Sequence, residues 1–127
     1  IENRQWSLLS PDGHLNLIHV DDAAAICFQI VQQQIKNDMF VVSDGHPGLR
    51  RDFYQFVADQ LGAGPIDWSL DPAVDVQARS QADKKINNQK LIRQTAYQFL
   101  YPDYRSGIPA SLACESSHSV ADAAHEP

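Results

Sequence analysis

An acidic pair, Asp21 and Asp22, follows His19 at the end of a short apolar run. Two carboxylates beside an imidazole could serve as general acid and base. The same pair opens the first strongly helical stretch. There a carboxylate caps free N–H groups and meets the positive end of the helix dipole, so capping is the expected role of Asp22. His14 and His19 could also be read as metal ligands. Successive residues of a strand face opposite ways, however, and His-x-x-x-x-His matches no compact ligand spacing, so no metal site is expected. His19 is expected to fix the end of its strand, with lining of a substrate cleft as the functional alternative. Tyr97, Phe99, Tyr101 and Tyr104 could stack on a ring, but core and rim packing is the expected use of such a group. Cys27 and Cys114 are far apart in sequence and read as reduced thiols of a cytoplasmic protein.

These residues must be held by a core, and the composition provides for one. Of 127 residues, 43% are hydrophobic and 20% charged. The net charge of −6, with no basic cluster, argues against nucleic-acid binding, which depends on counterion release from phosphates. No stretch approaches the roughly 18 apolar residues of a membrane span, and the N-terminus does not read as a signal peptide. The chain starts at Ile1 and its only methionine is Met39, which suggests a fragment.

Residues 1–13 are a turn-rich lead-in ending in Pro11, Asp12 and Gly13. Alternation predicts a strand over 15–20. Ala23, Cys27, Ile30, Val31 and Gln34, with Ile26 beside them, recur at helical spacing and predict about four turns. Residues 39–43 form an apolar run expected to be a strand buried on both faces. A turn over 44–48 leads to a helix over 49–61 that buries Phe53, Phe56, Val57 and Leu61, with Gly62 as its C′ residue. The signal is weak over 63–83, with one short strand expected near 66–68. The run 85–87 reads as a strand end, and Asn87 or Asn88 as the cap of a helix over 89–94. Residues 97–101 are expected to be extended and 103–113 helical despite Gly107 and Pro109. The segment 114–127 reads as a disordered tail. Strand–helix–strand–helix followed by short mixed elements is an incomplete α/β fold, because two or three strands cannot make a sheet covered on both faces.

The run from Asn16 to Ala24 (Asn-Leu-Ile-His-Val-Asp-Asp-Ala-Ala) resembles the strand-to-helix junction of extended and atypical short-chain dehydrogenases/reductases, the NAD(P)-dependent epimerase/dehydratase-like proteins. Four further stretches resemble that family in order: 40–45, 50–62, 84–91 and 101–107. Together they span roughly residues 14–112. The resemblance implies that 14–43 completes the edge of a Rossmann-type sheet and that 44–113 belongs to a small mixed α/β substrate domain. The strand through Ile18 would pair with that through Ile86.

Within that resemblance, the chain lacks what the chemistry needs. The glycine-rich turn that admits a pyrophosphate is missing; Gly45-x-x-Gly48 has no third glycine. The family's Tyr-x-x-x-Lys pair is missing too, since Tyr101 and Arg105 have the spacing but the wrong base. No catalytic residue and no cofactor-binding residue is therefore expected in this chain alone, while NAD or NADP is implied for the intact protein. Asn16, His19 and Arg79 are the expected substrate-binding residues, Arg79 because relatives place an arginine in that loop on the substrate's phosphate. The resemblance implies a small-molecule substrate of the nucleotide-sugar-like kind in the intact protein, although Leu17 stands where the family often carries a basic residue and counts against its anionic part. Two functions follow as expectations. One is the substrate-binding portion of an oxidoreductase or epimerase. The other is a non-catalytic module that binds a partner or a second copy of itself.

Overall fold

The structure, a computed structural model, describes residues 11–68 and 83–122. The chain is mixed α/β. Among the described residues there are four helices and one two-stranded antiparallel sheet, in the order β1 (His14–Leu15), α1 (Val20–Gln32), β2 (Gly48–Leu49), α2 (Arg50–Gln60), α3 (Gln89–Thr95) and α4 (Tyr104–Asp122). In the sheet His14 faces Leu49 and Leu15 faces Gly48.

The expected strand over 15–20 shrinks to β1, and residues 39–43 and 66–68 form no ladder. The reason is the same throughout. A strand exists only where a neighbour accepts and donates its backbone bonds, and these runs meet no such neighbour among the described residues. The expected pairing of the strand through Ile18 with that through Ile86 is replaced by one side chain. Asn16 donates from Nδ2 to the Lys84 carbonyl at 2.7 Å and accepts the Ile86 N–H on Oδ1 at 2.7 Å. An amide group thus copies the donor and acceptor of a backbone peptide.

The helices follow their local chemistry more closely. α1 begins at Val20, earlier than the acidic pair suggests, because His19 is its N-cap and accepts the Asp21 N–H. Both α1 and α2 end in a Schellman arrangement. After α2, Gly62 (φ +65°) donates to Asp59 O and Ala63 to Ala58 O. After α1, Gln34 (φ 55°) donates to Val31 O and Ile35 to Ile30 O, so a glutamine holds the left-handed position that glycine holds elsewhere. Asn88 precedes α3, where the Asn87 carboxamide accepts the Gln89 N–H. α4 carries Pro109 inside it and runs on to Asp122, well into the segment read as a tail.

The packing forms two patches. In the first, α1 turns Asp22 and Ile26 inward, and Gln29 and Gln33 reach the Thr95 carbonyl at the end of α3. Leu91 and Thr95 are buried there on α3. In the second, α2 packs on α4 and β2. Tyr104 sits edge-on to Phe53 and Phe56, with ring centroids 5.3 and 5.5 Å away. Phe53, Phe56 and Val57 are half-buried, and Leu61, expected inside, is exposed.

The other face of α1 is different. Val20, Ala24, Phe28 and Val31 recur at helical spacing, and all four are exposed, Phe28 to 64% and Val31 to 74%. Met39 and Val41 in the extended run that follows are exposed as well. Isolated exposed apolar residues are ordinary; a row of them on one helix face is not.

Candidate functional site

A cleft of about 260 Å³ opens between the 17–20 segment, α2 and α4. Leu17, Ile18, His19 and Val20 form one wall, Phe53 comes from α2, and Tyr104, Ile108 and Ser111 come from α4. Asp44 and Asp103 supply its acidic groups. The wall is held in place because Asp44 donates its N–H to the Leu17 carbonyl at 2.8 Å.

His19 Nδ1 accepts the Asp21 N–H at 3.2 Å, and its Nε2 lies 3.0 Å from Ser111 Oγ. A ring nitrogen that accepts an N–H carries no proton, so this bond pattern assigns the proton to Nε2, which donates it to Ser111. An Asp21 carboxylate oxygen stands 3.6 Å from Nδ1, completing a Ser–His–Asp row. The tautomer runs the wrong way for nucleophilic catalysis, which needs a free Nε2 lone pair facing the serine. His19 instead ties the start of α1 to α4. Gly107 makes room for it, since a Cβ there would come within 3.1 Å of His19 Cδ2. The imidazole also lies against the Tyr101 ring, tilted by 41°, with centroids 4.0 Å apart.

The expected capping role of Asp22 is corrected. Asp22 is fully buried inside the first turn of α1. One carboxylate oxygen accepts the Tyr97 hydroxyl at 2.7 Å and the Leu100 N–H at 2.8 Å, and the other accepts the Tyr101 N–H at 3.0 Å. It therefore anchors the 97–101 segment instead of capping its own helix. The signal was present in the sequence, because 22, 26, 29 and 33 follow one helical stripe.

Burial, and then the Asp22 carboxylate beside it, pushes the Tyr97 phenol up to about 12. The fold favours the neutral phenol, so the associated stability is intact below pH 10 and is lost as pH rises towards about 12. Urea melts across this range are expected to show wild-type stability falling more steeply than that of Tyr97→Phe. Phenolate absorbance should show one tyrosine ionising late in the wild type and not in the variant. Superimposable stability profiles would refute the coupling.

Asp44 is 4% exposed, and one of its oxygens accepts the His46 N–H at 2.8 Å in an Asx turn. Desolvation holds its carboxyl above the usual range, and the charges of Asp103 and Asp22 add to the effect. In the sequence Asp44 reads as a turn residue only. Its place in the cleft depends on the Leu17 contact, which joins two segments that no local pattern connects.

Of the expected substrate-binding residues, His19 lines the cleft. Asn16 spends its amide on Lys84 and Ile86, and Arg79 lies outside the described residues. His14 is engaged by Asp83 at 2.7 Å. No group of three or more metal-ligating side chains occurs among the described residues. At the Gly45-x-x-Gly48 run the close neighbour of Gly45 is Asn88, and Arg105 lies over the Tyr104 ring at 4.5 Å. No helix among the described residues is long and apolar enough to cross a membrane. Compared with protein-family models, curated proteins and solved structures, the chain has no match.

Proposed function

We propose that this chain is the C-terminal, substrate-binding portion of a cytoplasmic NAD(P)-dependent epimerase/dehydratase-like oxidoreductase, and that it performs no chemistry alone. In this reading α1 and the 39–43 run are the edge of a Rossmann-type layer, whose sheet would come from a preceding half. That half would carry the glycine-rich turn, the nicotinamide cofactor and the proton-relay residues. This chain's own contribution is to bind and orient the substrate in the cleft beside His19.

The observation that carries the reading is the exposed stripe of Val20, Phe28 and Val31 on α1, continued by Met39 and Val41. Helices that flank a parallel sheet bury such a face against it, and strands at that place are apolar on both sides. The alternative is a module that covers the same stripe with a second copy of itself. The two separate on the coding sequence upstream of Ile1 and on cofactor binding. An in-frame segment with a strand, a glycine-rich turn and a helix is expected there. The longer protein should bind NADH or NADPH saturably, whereas the 127-residue chain should show no saturable fluorescence change at micromolar concentrations. A start codon close upstream, or cofactor binding by the short chain, would overturn the proposal.

A further inference from the structure

The cleft has a chemical bias that the resemblance does not supply. Its walls are apolar and aromatic, with Leu17, Ile18, Phe53 and Tyr104 among the lining residues. Among the described residues its charged groups are both acidic, and no lysine or arginine lines it. From these observations we infer that the cleft takes a small primary amine carried on an aromatic or branched apolar group, with the ammonium meeting Asp44. As a statement about substrate class this rests on the reading of the cleft as a substrate site. The binding itself can be tested on the chain alone, without cofactor.

Asp44 is more than an exposed member of an acidic cluster. The side chain is 4% exposed, and the His46 N–H occupies only one of its oxygens. Asp44 lines the cleft, and its other oxygen accepts no hydrogen bond among the described residues. A largely buried carboxylate on the wall of an apolar cleft is stabilised by a cation that brings donors to it. Asp103 adds a second negative charge that favours a cation and repels an anion. Tyr104 lines the same cleft and gives it an aromatic wall.

Size restricts the ligand. At about 260 Å³ the cleft falls below the roughly 300–1,000 Å³ of sites for drug-sized molecules, so a single ring with a short arm fills it. A ligand of this size is expected to bind with a dissociation constant of about 1 mM.

Three probes that share a phenyl ring and differ in the end group decide the matter: phenethylamine, phenethyl alcohol and phenylacetate. Each is titrated at low salt into the wild-type chain and into Asp44→Asn, followed by amide chemical shifts. The asparagine keeps an oxygen for the His46 N–H, so the turn is preserved. In the wild type the amine should bind at least about tenfold more tightly than phenylacetate, a ratio that follows from one buried opposite charge. Its shifts should centre on Asp44, Phe53, Tyr104 and Ile108. In Asp44→Asn the advantage of the amine over the alcohol should fall to about one while alcohol binding persists, as expected once the charge is gone. If the variant does not fold, the ranking and the shift map in the wild type decide. Phenylacetate binding as well as the amine, shifts centred elsewhere, or no saturable binding by any probe would each overturn the inference. None of these outcomes touches the cofactor experiment, so the two proposals fail separately.

Discussion

Replacing Asp22 by alanine is expected to lower stability by about 3 kcal/mol, because it leaves two backbone N–H groups and the Tyr97 hydroxyl without their acceptor. Asp22→Asn should cost about 2 kcal/mol, which separates an anchoring carboxylate from a cap. The amide has one acceptor oxygen. If that oxygen keeps the bonds from Tyr97 and Leu100, the NH2 group meets the Tyr101 N–H donor to donor. Turning the amide over lets the NH2 group donate to the Tyr97 hydroxyl oxygen but sets it against the Leu100 N–H, so one backbone donor loses its acceptor either way. A helix cap would behave otherwise, since asparagine caps as well as aspartate and even alanine costs only about 1 kcal/mol there. Urea melts of the three proteins decide it, and an asparagine variant that melts with the wild type would restore the capping role. The backbone consequence is local: hydrogen exchange at Leu100 and Tyr101 should accelerate more than exchange in α2.

The second large effect is expected at Gly45. Its φ is +80°, and a Cβ there would stand 2.7 Å from Asn88 Nδ2 and 2.9 Å from Oδ1. Asn88 cannot simply move aside, because it is 6% exposed and its Nδ2 donates to the Ser43 carbonyl at 2.9 Å. Gly45→Ala therefore combines left-handed backbone strain with the loss of a buried hydrogen bond, about 2–4 kcal/mol together. Gly62→Ala is the matched control. Its φ of +65° is just as unfavourable for a side chain, but nothing lies within 4 Å of the added methyl. It should lose only about 1 kcal/mol. Equal losses at the two positions would show that the Asn88 contact contributes nothing.

Those two residues also show what was legible in the sequence. The end of α2 could be read because glycine after a periodic run has one strong local meaning, and Gly62 adopts it. The end of α1 could not, because Gln34 takes the same left-handed conformation without the residue type that signals it. The helix over 89–94 could be placed from Asn87 and its apolar residues, whose interactions are within a few positions. The strands could not be verified in this way. The runs over 15–20 and 39–43 state that a residue would fit a sheet, and they do not name the strand that would pair with it.

The site divides along the same line. His19 could be singled out because it stands next to an acidic pair at a strand-to-helix junction. Its partner Ser111 is 92 residues away and carries no local mark. Asp22 was visible as an acidic residue at a helix start, and its placement on the Ile26 stripe should have moved it from cap to anchor. Asp44 joins the cleft only through the approach of residue 17 to residue 44, a tertiary event. Only the family resemblance points to Arg79, and it lies outside the described residues.

The central claim is that α1 has a second apolar face built to be covered. Light scattering over a concentration series measures this directly, with the wild-type chain beside the double variant Phe28→Lys, Val31→Lys. Both side chains are exposed, at 64% and 74%, so the exchange leaves the inner face of Asp22 and Ile26 untouched. The wild type, with its stripe uncovered, is expected to associate as concentration rises, and the lysine variant to remain a monomer of unchanged helix content. A wild-type chain that stays a sharp monomer throughout, with strong hydrogen-exchange protection across 23–43, would contradict the claim.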